Sequence, residues 1–320
     1  MFKGMDYVYE LYKERNFSRA ADNMFISQPS LSANIKRVED KVGYPLFDRS
    51  TKPIELTPVG EQYIKTIEQI RMAEHEFESF ITDLAELKTG KIVFGGSNFF
   101  SSWVLPEMLA RFSAQYPDVT IELMESRSVR LAQALQDASI DFLLDNKELD
   151  LDVFDRHIMG EEELLLVVPK SFKANEGLEN YRIDLEDIRS GAFKDESFRC
   201  VDLEYFAGSP FVLLRSFNDT GRRAELICQE HNFKPNVVLN LDQQLTAYNV
   251  ASSGVGIAFT GEILLRSVPA NPNLVYYKLS SKYKTRSIYF YWKKGRYISN
   301  AMKVFLDSII YNTDFNSLQK

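Results

Sequence analysis

The sequence has 320 residues, 45% of them hydrophobic, and a formal net charge of −7. This length predicts about two to three domains with sizeable cores, and the acidic balance argues against a generally basic, nonspecific nucleic-acid binder. No run of about 18 apolar residues occurs and the charged N-terminus lacks a signal-peptide core, so we expect a cytoplasmic protein without membrane spans.

Residues 17–42 have the pattern of two short helices separated by a tight turn. Apolar positions recur at three- and four-residue spacing: Ala20, Ala21 and Met24 in the first, Leu31, Ile35, Val38 and Val42 in the second. Ser27 is a candidate N-cap of the second helix, and Pro29 lies in its first turn. The pattern predicts a helix-turn-helix whose second helix fits the major groove of DNA. Its predicted DNA-contacting residues are Ser27, Gln28, Pro29, Ser30, Ser32, Lys36 and Arg37. The simpler alternative is an ordinary pair of amphipathic helices.

A short basic loop with a proline follows the second helix. Arg49 and Lys52 lie between Phe47 and the alternating apolar residues Ile54 and Leu56. Alternation on both sides of a basic turn predicts a wing that reaches the DNA backbone or minor groove beside the second helix.

From Glu61 to about residue 88 the sequence contains no helix breaker, and Thr57 with Pro58 forms a good helix start before it. Alternating four- and three-residue steps are typical of a coiled-coil seam. The predicted dimerisation residues on this seam are Tyr63, Ile67, Ile70, Phe77, Ile81 and Leu84, with Glu74 interrupting them. The alternative is a long helix packed against its own domain.

Beyond residue 90 strand and helix patterns alternate, which predicts an α/β arrangement. The predicted strands are 91–95, 119–124, 140–144, 163–168, 211–214, 237–241, 255–259, 275–279 and 287–292. The predicted helices are 103–116, 129–138, 222–231, 245–253 and 299–311. The acidic clusters at 150–155 and 161–163 are most simply solvated loops, and the role of the long segment 175–199 is open.

Two sets of residues carry a family pattern. The first is SQPSLSANIKRVEDKVGYPLFDRS at residues 27–50 with LTPVG at 56–60. The second set is looser: Leu105-Pro106, Tyr116-Pro117, Ile140-Asp141, Pro210-Phe211 and SGVGIA at 253–258. In this order and spacing the chain resembles LysR-type transcriptional regulators over nearly its whole length. One departure is Ala33, which stands where the family often has Arg, Gln or Lys.

The resemblance implies a winged helix-turn-helix domain at 1–57, a linker and dimerisation helix at 58–89, and an effector-binding domain at 90–320 with a fold like that of periplasmic binding proteins. That domain would contain subdomain I, about 90–162 and 269–320, and subdomain II, about 163–268, with crossings near 160–163 and 266–269. The implied partners are double-stranded promoter DNA, a small-molecule effector, further copies of the chain in a homodimer or homotetramer, and RNA polymerase as a further candidate.

In such folds ligands bind between the subdomains, where strands end and helices begin, because backbone N–H groups there attract carboxylates. The hydroxyl- and amide-bearing residues at such positions are Ser97, Asn98, Ser128, Asn218, Thr220, Thr246 and Thr260. The resemblance assigns effector contacts to the positions of Ser97 and Ser128. We expect a small, anionic metabolite, and the alternative role for each residue is helix capping or turn formation.

Two other classes of function are weaker alternatives. No metal, cofactor or enzymatic activity is expected, because metal-ligand and catalytic-triad spacings are absent around His75, His157 and His231. A binding protein without specific DNA recognition is a related alternative. A thiol-based redox sensor of the same fold would use Cys200 and Cys228, although two inert cysteines are the simpler interpretation in a reducing compartment.

Overall fold

The computed structural model describes residues 2–84 and 90–311, apart from the side chains of Thr82, Leu84 and Tyr311. The chain divides into two compact units, Met1–Glu78 and Ser79–Lys320. Within the described ranges, no helix combines the length and the hydropathy that a membrane span requires.

The first unit contains three helices, a two-stranded wing and most of a long fourth helix. Its elements are α1 (Met5–Glu14), α2 (Phe17–Asn23), α3 (Gln28–Val42), β1 (Phe47–Asp48), β2 (Glu55–Leu56) and α4 (Pro58–Leu84). Ser27 begins α3 by accepting a hydrogen bond from the N–H of Ser30, and Gly43 ends it with φ +84°, which favours glycine. The antiparallel pair β1–β2 forms the predicted wing.

The first part of the long helix α4 packs in the core of the first unit, whereas large apolar side chains farther along it are exposed. Tyr63, Ile64 and Ile67 are buried in the apolar core of the first unit, together with Leu31 and Ile35 of α3. This burial corrects the prediction that Tyr63 and Ile67 lie on the dimerisation seam. Their side chains pack against the helix-turn-helix of the same chain. Farther along α4, Ile70 is half-buried, and Phe77 and Ile81 are exposed by 62% and 51%. The side chain of Leu84 lies outside the described residues.

The second unit alternates strands and helices, as the sequence predicts. Its first half contains β3 (Gly90–Gly96), α5 (Leu105–Gln115), β4 (Val119–Glu125), α6 (Ser128–Gln136), β5 (Phe142–Asp145), β6 (Phe154–Pro169), β7 (Arg182–Ile183), α7 (Leu185–Ser190) and β8 (Cys200–Val201). Its second half contains β9 (Pro210–Leu214), α8 (Asp219–Glu230), β10 (Asn236–Leu241), α9 (Gln244–Ser252), β11 (Ala258–Gly261), α10 (Glu262–Ser267), β12 (Leu274–Leu279), β13 (Thr285–Lys293) and α11 (Asn300–Tyr311).

Strand pairing divides this unit into two lobes. In the first lobe β3 pairs in parallel with β4 and β5, and β13 pairs antiparallel with β5 and with residues 154–163 of β6. In the second lobe β6 continues as the antiparallel partner of β11 and β12, and β9 pairs in parallel with β10. The strand β6 therefore runs through both lobes, and residues 280–284 return the chain to the first lobe.

This return differs from the crossing predicted at residues 266–269. The strand β12 follows that point but pairs with β6, β7 and β8 in the second lobe, where Tyr277 is fully buried. The predicted boundary was too early because residues 274–279 still pair with strands of the second lobe after α10 has ended.

The strand β6 is also longer than predicted. It has 16 residues and contains the acidic cluster 161–163, which the sequence suggested to be a solvated loop. Instead, the side chain of Glu162 is 2% exposed. The long segment 175–199 contains β7 and α7 and packs on the second lobe through the buried side chains of Ile183, Ile188 and Phe193.

Candidate functional site

The helix α3 separates a buried apolar face from an exposed polar face. Leu31, Ile35 and Val38 are buried. Most of the predicted DNA-contacting residues are exposed: Ser27, Gln28, Pro29, Ser30, Lys36 and Arg37, with Ser32 half-buried. Ala33 is exposed on the same face, so its methyl group stands among these polar side chains. The arrangement presents an amide, hydroxyls and two cations on one helix surface.

The two cations of the wing differ in their surroundings. The guanidinium of Arg49 lies 2.9 Å from Oε2 of Glu39 and 5.4 Å from the ring centroid of Phe17. The other oxygen of Glu39 accepts the N–H of Leu46 at 2.8 Å, so Arg49 is part of a contact network that fixes the wing. Lys52 is exposed at the tip of the loop. Lys52 is therefore more available to a phosphate than Arg49.

Three predicted effector residues of the first lobe gather where its parallel strands end. Ser97 and Asn98 follow β3, and the amide of Asn98 donates to Oε1 of Glu125 at the end of β4 at 3.0 Å. Ser128 is the first residue of α6. Sequence reasoning missed Asp145, which ends β5 at the same edge and is 2% exposed. An acidic residue ending a run of apolar strand residues was the available signal.

The predicted residues of the second lobe have different surroundings. Asn218 caps α8 by accepting the N–H of Thr220 at 2.9 Å, as the alternative interpretation expected. The buried hydroxyl of Thr220 donates to Oε1 of Gln244 at 3.1 Å. Thr246 is exposed on α9. Thr260 is fully buried on β11, and no described residue forms a hydrogen bond with its hydroxyl.

A buried ionic network, which the sequence did not predict, joins the crossing strands to α8. Nη2 of Arg286 lies 2.7 Å from Oε1 of Glu162, and its Nη1 lies 3.2 Å from Oδ2 of Asp219. The same Nη1 donates to the hydroxyl of Thr220 at 2.8 Å, and Arg223 also pairs with Asp219 at 2.7 Å. Although burial alone would raise the pKa of Asp219, Arg286 and Arg223 hold it below its usual value. These contacts occupy Thr220 within the protein.

The surroundings of the cysteines bear on the redox alternative. Cys228 is buried on α8, and burial raises the pKa of its thiol to about 11. Since the thiolate is the reactive form, this environment disfavours oxidation. Cys200 is half-buried on β8. Within the described ranges, no group of three or more His, Cys, Asp or Glu residues has a metal-binding arrangement.

Models of known protein families match the sequence of both units. A family model described as "Bacterial regulatory helix-turn-helix protein, lysR family" matches residues 2–61, and one described as "LysR substrate binding domain" matches residues 85–193 and 196–312. The chain is 27% identical over 314 residues to the uncharacterized HTH-type transcriptional regulator YcgK of Bacillus subtilis (strain 168), covering 95% of this chain and 92% of the relative.

Solved structures agree at the level of the fold. The crystal structure of CbnR, a LysR family transcriptional regulator, matches with a TM-score of 0.61 and 14% identity over 98% of this chain and 99% of that chain. The regulatory domain of Synechocystis PCC6803 CcmR, in complex with 2-PG, matches with a TM-score of 0.58 and 14% identity over 71% of this chain and 98% of that chain. With a helix-turn-helix and a substrate-binding domain that together match most of its length, the chain belongs to the LysR family of bacterial transcriptional regulators.

Proposed function

We propose that α3 and the wing bind promoter DNA directly, and that a small effector bound between the two lobes changes how the assembled regulator holds that DNA. The observation that supports this most strongly is the exposed face of α3, where an amide, hydroxyls and cations lie opposite a fully buried apolar face. Side chains of these types read base edges and phosphates in the major groove.

The residues of this surface divide into two groups by chemistry. Gln28, Ser30 and Ser32 carry the donors and acceptors that recognise bases, with Ser27 and Pro29 fixing the start of the helix. Lys36, Arg37 and Lys52 supply positive charge for phosphates, while Arg49 contributes the part of its side chain that its ion pair leaves exposed.

Lys52→Ala tests the role of the wing. We expect weaker binding to every DNA sequence and a salt dependence whose log–log slope is smaller by about 0.9, because one phosphate contact is lost. Fluorescence anisotropy over a salt series on specific and random duplexes measures both quantities. Lys65→Ala, which removes the same charge from an exposed position on α4, is the control. A loss confined to specific DNA, with an unchanged slope, would contradict the phosphate role.

For dimerisation we propose the exposed end of α4 in place of the full predicted seam. Ile70, Phe77 and Ile81 keep the seven- and four-residue spacing of a seam, and the latter two expose large apolar surface. A second copy of the same helix would cover that surface. We therefore propose a homodimer as the basic assembly, with a homotetramer as a larger one.

For the effector we propose the edge where Ser97, Asn98 and Ser128 meet, with Thr260 from the second lobe. Support comes from the position of these residues at strand and helix ends, where α/β folds bind ligands. The effector would shift the balance between assemblies that present the DNA-binding units differently. This regulation would operate in the cytoplasm without an enzymatic step, and RNA polymerase is the further partner we propose.

A further inference from the structure

The carboxyl group of Asp145 occupies a distinctive place in the first lobe. It ends β5, and β5 is flanked by β3 and β13 in the sheet. The ends of the three parallel strands bring Asp145 to the same edge as Ser97 and Ser128, two of the residues proposed above for the effector. Ligands of open α/β sheets bind at this carboxyl edge.

The hydrogen bonding of this carboxyl group is incomplete. Oδ1 accepts the N–H of Lys147 at 2.9 Å, whereas Oδ2 is buried and has no hydrogen-bond partner among the described residues. The hydroxyl of Ser128 and the backbone N–H of Asn146 are near enough to lower the pKa of Asp145, but neither makes a hydrogen bond of normal geometry with Oδ2. Buried polar atoms in folded proteins nearly always have a partner. The free oxygen therefore indicates a role beyond the stability of the lobe.

The electrostatic surroundings of Asp145 indicate which kind of group would complete the hydrogen bonding of its Oδ2. Burial raises the pKa of Asp145 most strongly, and the charge of Asp219 from the second lobe raises it further. The guanidinium groups of Arg286 and Arg223 are paired with Asp219, and no described cation forms an ion pair with Asp145. When Asp145 is ionised, a positively charged donor is favoured over an anion at Oδ2.

We infer that the effector carries a protonated primary amine that donates to Oδ2 of Asp145. The inference rests on the proposed effector role of this edge and refines it, because an amino-acid-like zwitterion fits better than a simple anion. Its ammonium group would supply the donor that Asp145 lacks, and its carboxylate would lie towards the N-terminus of α6, which begins at Ser128. Thr260, whose hydroxyl also has no described partner, is the corresponding contact from the second lobe.

Thermal unfolding of the full chain with a matched panel tests this chemistry. The panel contains the standard α-amino acids other than proline and lysine and, for each, the 2-hydroxy acid of the same side chain. We expect at least one amino acid to raise Tm while its hydroxy acid does not. In Asp145→Asn the same amino acid should bind about tenfold to a hundredfold more weakly by calorimetry, because a charge-assisted hydrogen bond is lost. Asp118→Asn, which removes an exposed charge before β4 at the opposite edge, should bind like wild type.

A second measurement separates a ligand site from a structural role. Without any ligand, Asp145→Asn should match or exceed the Tm of wild type, because the substitution removes a buried charge that has an unpartnered oxygen. Three results would each overturn the inference. They are a lower Tm for Asp145→Asn than for wild type, an amino acid that binds wild type and Asp145→Asn equally, and a panel in which no amine binds. Specific DNA binding is measured in parallel. If it is intact when one of these results is found, the inference about the effector fails while the proposed regulatory function stands.

Discussion

Replacing Arg286 with methionine is expected to lower the free energy of unfolding of the second unit by about 3–5 kcal/mol, because it leaves buried carboxylates without their cation. Glu162 and Asp219 are at most 5% exposed as residues, and Arg286 pairs with both. Denaturant unfolding followed by circular dichroism measures the change. Arg111→Met is the matched control, since its pair with Glu107 is largely exposed and such pairs contribute at most about 1 kcal/mol.

The pH dependence gives this prediction a second readout. Arg286 and Arg223 lower the pKa of Asp219 against the opposing effect of burial. A carboxyl group with a lowered pKa stabilises the fold above its ordinary pKa, and that contribution is lost as the pH falls through the lowered value. The stability difference between wild type and Arg286→Met should therefore narrow on acidification. A variant as stable as wild type, or a difference that is constant with pH, would contradict the assigned role of the network.

Gln28→Ala is expected to weaken binding to the specific site by about 1–3 kcal/mol while leaving binding to random DNA nearly unchanged, because an amide that reads a base edge is lost. Gln28 is exposed in the first turn of α3, where side chains enter the major groove. Competition binding against duplexes with each base substituted in turn measures both affinity and preference.

The control for this prediction is Gln62→Ala, which truncates an exposed amide on α4. The control should bind specific and random DNA like wild type. Equal losses on specific and random DNA for Gln28→Ala would show that Gln28 contacts the backbone and that its assignment to base recognition is wrong.

Local signals were sufficient to predict the first unit. Ser27, Pro29 and Gly43 determine where α3 starts and ends through contacts within one turn, so the sequence alone places this helix. The alternating residues around Lys52 similarly predict the two strands of the wing. The long uninterrupted stretch from Glu61 predicts α4, because nothing in it breaks a helix.

Features that depend on distant partners were not predictable. Glu162 looks like part of a solvated acidic loop because its partner Arg286 lies 124 residues away in the sequence. Tyr63 and Ile67 have seam spacing, yet the same apolar side chains serve equally well as core of the first unit. Asp145 ends a run of apolar strand residues, but its significance appears only when the ends of three strands come together. In each case tertiary contacts, and not local propensity, decide the role.

Selection of bound duplexes from a random DNA pool by the full-length chain tests the central claim most directly. We expect enrichment of an interrupted dyad, whose half-site spacing reports how two subunits hold their α3 helices. A variant carrying Phe77→Glu and Ile81→Glu should lose the dyad and enrich single half-sites, because the exposed end of α4 no longer pairs. No enriched sequence even at low salt, where phosphate contacts are strongest, would contradict sequence-specific regulation by this chain.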